Sequence, residues 1–94
     1  MPMILLRFKI SGHSMLPTLK PNQEILVSSW PYYFKKPQVG DIIAFQKNGI
    51  YIVKRISAQE KDKYQVKGDN KNDSKDYGLI NKKDIVGKLI YVLS

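Results

Sequence analysis

Apolar residues in this chain recur every second position or gather in short blocks, a pattern that admits strands and leaves almost no room for helices. In segment 4–10, Leu6, Phe8 and Ile10 alternate with Arg7 and Lys9. Further strands are predicted at 24–28 after the turn-rich Lys20-Pro21-Asn22, at 41–46, 51–56 and 64–67, and at 85–93. Asn48-Gly49 lies between two of these runs, and both residues tolerate positive φ, so residues 41–56 read as a hairpin. Helix is confined to single turns at 14–19 and 81–85, with Pro17 tolerated in the first turn of the former. The expected fold is all-β, one domain over residues 1–94. It consists of small coiled antiparallel sheets or a partly open barrel, with one or two single-turn helices.

Composition narrows the chemistry. At 94 residues the chain can build one modest core. It has no cysteine, which excludes disulfide scaffolds, thiolate nucleophiles and thiolate metal sites. One histidine is a poor basis for a zinc centre, so neither metal nor cofactor is expected. The net charge of +8 favours anionic surfaces, although the lysines are scattered rather than run together. The longest apolar stretch near the start, Met3 to Leu6, is broken by Arg7 and Lys9, far short of the ~20 residues of a spanning helix. The chain is therefore expected to be soluble or peripheral to a membrane.

The chemistry centres on Ser11-Gly12-His13-Ser14-Met15-Leu16-Pro17-Thr18-Leu19. A strand running into Gly, Ser and a proline-stiffened turn sets the Ser14 hydroxyl at a strand end. Backbone N–H groups there lie outside any ladder and could stabilise an oxyanion. Taken alone, a serine before a turn is more often a turn residue. His13 is its sequence neighbour, and consecutive side chains on extended backbone point to opposite faces, so His13 is a poor base for Ser14. Lys54 is the stronger candidate because it sits in the apolar run Tyr51-Ile52-Val53-Lys54-Arg55-Ile56. Burial disfavours the ammonium, and bringing its pKa from roughly 10.4 toward neutrality takes about 3–4 kcal/mol of differential interaction. Arg55, which stays charged anywhere, should take the outward position. The bland alternative makes both of them polar positions on a half-exposed strand.

These segments resemble the type I signal peptidases. Ser14-Met15-Leu16-Pro17-Thr18-Leu19 is similar to the family's nucleophile box, and Val53-Lys54-Arg55-Ile56 to its lysine box. Gly68-Asp69-Asn70 with Ser74 and Asp76 is similar to its third box, and Val39-Gly40-Asp41-Ile42-Ile43-Ala44-Phe45 to the strand between the first two. Four such matches occur in order over residues 10–91. The resemblance implies a serine endopeptidase with a Ser14/Lys54 dyad, cleaving signal- or leader-type peptides after small residues. Ser74 would orient the lysine amine, Asp76 would brace its loop, and Asp69 and Asn70 would be supporting architecture. An extended substrate would lie between Ile10, Ser11 and His13 on one side and Tyr51, Ile52 and Val53 on the other. Three departures stand out. Gly12 occupies the position where some members carry an oxyanion hydroxyl. Ser57 to Lys63, read as a tight hairpin, replaces the segment that leads into an accessory sheet. Asp76-Tyr77-Gly78 lacks the usual arginine, for which Arg55 is the available substitute.

Trp30-Pro31-Tyr32-Tyr33-Phe34-Lys35-Lys36 is aromatic and basic, the composition of a membrane–water rim. Phe34 and one tyrosine are expected inside. Trp30, Lys35 and Lys36, with Tyr32 or Tyr33, would form a contact to anionic membrane. One rival reading keeps the fold and drops the catalysis, a peptide-binding or membrane-surface domain without turnover; another, a basic β-barrel that stacks single-stranded nucleic acid on its six tyrosines, leaves the contexts of Ser14, Lys54 and Ser74 unexplained, so nucleic acid is not the expected partner.

Overall fold

The computed structural model describes residues 3–72, 75 and 77–94. Seven strands, β1 (Leu5–Lys9), β2 (Glu24–Ser28), β3 (Ile42–Lys47), β4 (Ile50–Glu60), β5 (Lys63–Lys67), β6 (Leu79–Asn81) and β7 (Ile85–Val92), form one sheet. The strand order is β1-β2-β7-β3-β4-β5-β6, with every pairing antiparallel. Among the described residues, helix amounts to two 3₁₀ turns, Trp30–Tyr33 and Lys82–Asp84. The mainly β expectation holds.

Local chemistry accounts for the turns. Asn48 (φ 54°) and Gly49 (φ 78°) join β3 to β4 in the left-handed region their type permits. β4 runs on to Glu60, beyond its predicted end, and turns at Lys61 (φ 55°) into β5. Residues 57–63 are therefore the tip of a long hairpin. The β6 strand is missing from the sequence reading because three residues after Gly78 carry no alternation. Residues 14–19 make a turn, with Leu19 N–H donating to the Met15 carbonyl at 2.9 Å, and do not reach a helix.

Two apolar clusters lie on opposite sides of β3. One gathers Ile10, Met15, Leu19, Ile25, Val27, Ile42 and Ala44. The other gathers Ile43, Phe45, Ile56, Tyr64, Val66 and Ile80. The alternation Ile42/Ile43/Ala44/Phe45 serves both, as expected for a central strand covered on each face. Ladder register then decides which core each site residue joins.

The aromatic segment departs from expectation. Phe34 is 73% exposed, and Tyr32 is the residue turned inward. The Tyr32 hydroxyl donates to Asp41 at 2.7 Å, and burial together with that carboxylate holds its pKa well above the usual tyrosine range. The expectation for Phe34 came from a similar Tyr-x-Phe stretch in the family; here the 3₁₀ turn Trp30–Tyr33 points Tyr32 inward and leaves Phe34 outside.

Candidate active site

Lys54 lies on β4 directly opposite Ile43 of β3, and opposed residues share a face of the sheet. Its same-face neighbours along the strand are Ile52 and Ile56. Register thus sends the Lys54 side chain into the second apolar cluster, where the residue is 4% exposed. Its Nζ lies 5.7 Å from the centroid of the Tyr77 ring, which is stacked edge-on against Phe45. Arg55 takes the alternate face with its side chain 36% exposed, as the alternation argument expected.

Ser14 reaches the same place from outside the sheet. β1 ends at Lys9, Gly12 adopts φ 80°, and the chain turns through Ser14 to Leu19 with Met15 and Leu19 buried in the first cluster. Ser14 and Lys54 together line a cleft of about 240 Å³ with Phe8, Lys9, Ile10 and Tyr77. Ser11, Tyr51, Ile52 and Val53, which the family resemblance placed beside the substrate together with Ile10, also line it. His13 is exposed and does not line this cleft, which corrects its expected place beside the substrate: the alternation that turns it away from Ser14 also turns it away from the cleft.

The 68–70 turn holds the serine segment. Asn70 N–H donates to the Ser14 carbonyl at 2.9 Å, and Asn70 Nδ2 to the His13 carbonyl at 2.9 Å. Gly68 packs so tightly that a Cβ there would stand 2.5 Å from the Ser14 carbonyl oxygen. Asp69 joins three segments. It accepts from Arg55 Nε at 2.9 Å and Nη2 at 2.8 Å, and from the Thr18 hydroxyl. Arg55 Nη1 also donates to the Gly40 carbonyl at 2.8 Å. The Arg55 guanidinium, and secondarily the Thr18 hydroxyl, hold the Asp69 carboxyl below its ordinary range, while the same pair raises Arg55.

Some predicted residues stand behind the cleft rather than in it: Gly12, Arg55, Asp69 and Asn70. Arg55 was expected as a substitute partner for Asp76; the partners described for it are Asp69 and Gly40. Ser74 and Asp76 lie outside the described residues. Sequence reasoning missed Thr18 and Tyr77 as site residues. Thr18 sits inside the Ser14 segment, but its contact depends on a residue 51 positions away. Tyr77 was noted only for replacing another residue type.

A hydroxyl on a turn and a buried amine on a strand thus open into one cleft beside two extended segments of a small β-fold. The chain matches the family described as signal peptidase, peptidase S26, over residues 2–60, and it belongs to that family. It is also similar to the "Probable thylakoidal processing peptidase 2, chloroplastic" of Arabidopsis thaliana, at 34% identity over 67 residues. That match covers 61% of this chain and 18% of the plant protein, so the chain spans a small part of that relative. No helix among the described residues is long and apolar enough to cross a membrane. Those residues also contain no cluster of three or more His, Asp or Glu that could hold a metal ion.

Proposed function

We propose that this chain is a serine endopeptidase in which Ser14 is the nucleophile and Lys54 the general base, acting on extended peptides with small residues before the scissile bond. The observation that carries this reading is that Ser14 and the buried Lys54 line one cleft. Family membership supports peptidase chemistry in general. In the proposed cycle Ser14 Oγ attacks the carbonyl carbon while its proton passes to Lys54 Nζ. The same proton then goes to the leaving amine as the peptide C–N bond breaks. Water, deprotonated by Lys54, adds to the acyl ester, and the acid product leaves with Ser14 reprotonated. The apolar flank of Ile43, Ile52 and Ile56 favours the uncharged amine that the first step requires. Main-chain bonds from residues 8–11 and 51–53 would align the substrate.

The deciding experiment compares wild type with Ser14→Ala and Lys54→Ala on peptides carrying Ala at positions –1 and –3. Each variant should lose roughly 10³-fold or more in kcat/KM. Cleavage that the two variants retain at wild-type rate, or no cleavage by wild type, would sink the proposal. Peptide binding by wild type without turnover would instead favour the binding-domain reading.

A further inference from the structure

The cleft does not end at Ser14 and Lys54. β4 is paired with β3 from Ile50 to Arg55 but with β5 only from Arg55 onward, so among the described strands its edge over residues 50–54 is open. Ile52 and Tyr77 line the cleft and also a second hollow of about 260 Å³, which Lys47, Asn48, Ile50 and Lys75 complete. Register brings Lys47 there: it opposes Ile50, and Ile50, Ile52 and Lys54 share one face of β4. Lys47 and Lys75 are exposed, and their amines stand 5.9 and 5.5 Å from the centre of the Tyr77 ring. Lys47 Nζ donates to the Tyr77 carbonyl at 2.7 Å, which fixes the amine at this rim. An ammonium carries three N–H donors, so that bond leaves it able to serve a carboxylate as well. Lys9 adds a third cation on the opposite wall of the cleft. Among the described residues no Asp or Glu lines the cleft or the hollow; Asp73 and Asp76, near Lys75 in the sequence, lie outside them.

A hollow with an apolar floor and ammonium groups at its rim is complementary to a short acidic side chain: stem against Ile50, Ile52 and Tyr77, carboxylate toward the lysines. We propose that Lys47 and Lys75 select substrates with an acidic side chain four or five residues from the scissile bond, on the side that lies along residues 51–53. The distance follows from strand geometry. Ile50 is four strand steps from Lys54, about 13 Å, and an extended peptide beside β4 advances at the same pace. This selectivity presupposes the peptide path of the catalytic reading and adds to it the class of peptide that the path accepts.

The test uses peptides acetylated and amidated at their ends, with Ala at –1 and –3 and a single Asp or Asn at each other position in turn. Asp at a position four or five residues from the scissile bond should raise wild-type kcat/KM about three- to tenfold over Asn. A binding titration on Ser14→Ala should show the same preference, and raising NaCl to about 0.5 M should shrink it. Lys47→Gln/Lys75→Gln should abolish the preference and leave the Asn peptide unaffected, with unchanged Tm because both side chains are exposed. Lys47→Arg/Lys75→Arg, which keeps both charges, should retain it. Equal handling of Asp and Asn at every position, with cleavage intact, would overturn the inference and spare the catalytic reading. A preference that survives in the Gln variant, or an equal loss on both peptides, would overturn it too. A preference in binding with no cleavage by wild type would support it and remove the catalytic reading instead.

Discussion

The two walls of the cleft are built by different means. Lys54 stands on β4, locked to β3 through six consecutive register pairs from Ile42↔Arg55 to Lys47↔Ile50, with the second apolar cluster beneath it. Ser14 stands on a turn outside the sheet, and residues 68–70 hold it through two hydrogen bonds and one close backbone approach. A ladder position is held by many bonds that fail together. A turn position is held by a few, each of which can be removed alone. The match to the family over residues 2–60 includes both Ser14 and Lys54 but stops short of the turn that holds the serine. Disturbing the lysine wall should therefore cost stability, and disturbing the serine wall should cost turnover.

The largest effect should come from the sheet side. Ile80 is 4% exposed in the second cluster and does not line the cleft. Ile80→Ala should cost about 2–5 kcal/mol, lowering Tm by roughly 10 °C or more in a domain this small, as calorimetry would show. Below the transition its kcat should stay near wild type. A large loss of kcat with Tm unmoved would break the contrast. The serine side should answer in the opposite sense. Gly68→Ala forces apart two backbones that cannot both stay, and a displacement of about 1 Å at a reacting group costs on the order of 10² in rate. Its kcat should fall by that factor on a peptide substrate, with KM changed less. Asn70→Ala, which removes the bond to the His13 carbonyl and the one the side chain accepts from Asn72 N–H but leaves the backbone bond to Ser14, should lower kcat about three- to tenfold.

These contrasts follow what could and could not be read from the residues. The hairpin was legible because Asn48-Gly49 carries its own backbone preference. Burial of Lys54 was legible because Ile52 and Ile56 flank it at strand spacing and Arg55 beside it must face the other way. In each case the deciding neighbours are local. The Asp69 junction was not legible, because Asp69 accepts from Thr18 and from Arg55 of β4, which itself reaches Gly40, and these positions are far apart in the sequence. The outward direction of Phe34 was missed because its inward place was carried over from a similar Tyr-x-Phe stretch in the family, and a 3₁₀ turn has no alternation with which to check it. Ser14 lies between these extremes. Its segment resembles a nucleophile box, but what holds it is a turn more than fifty residues on.

Asp69 belongs to both walls, since it ties Arg55 of β4 to Thr18 of the serine turn, and its titration tests how far they are coupled. Its folded pKa lies below the ordinary value, so the unfolded chain takes up the proton first as pH falls. The junction's stabilisation is then complete above the unfolded pKa of about 4 and is lost as pH drops through the folded value. Wild-type Tm should fall more steeply below about pH 4 than that of Asp69→Asn, and the two curves should converge in acid. Parallel curves would mean that the Arg55 pair contributes little, as a partly exposed ion pair can.

The smallest effect should arise at Tyr77, which brings the segment after the 68–70 turn into the cleft beside Lys54. Its ring stands 5.5–5.9 Å from the amines of Lys47, Lys54 and Lys75, and its carbonyl accepts from Lys47 Nζ at 2.7 Å. The Tyr77 ring packs edge-on against Phe45 and fills the cleft wall beside Lys54, and the hydroxyl adds little to that packing. Tyr77→Phe should therefore keep kcat within about twofold, while Tyr77→Leu, which fills the cleft wall without a ring face, should lower it several-fold. Equal losses in the two variants would move the importance to the hydroxyl. No loss in either would show that β4 alone holds the amine, and the contrast between the walls would then be complete.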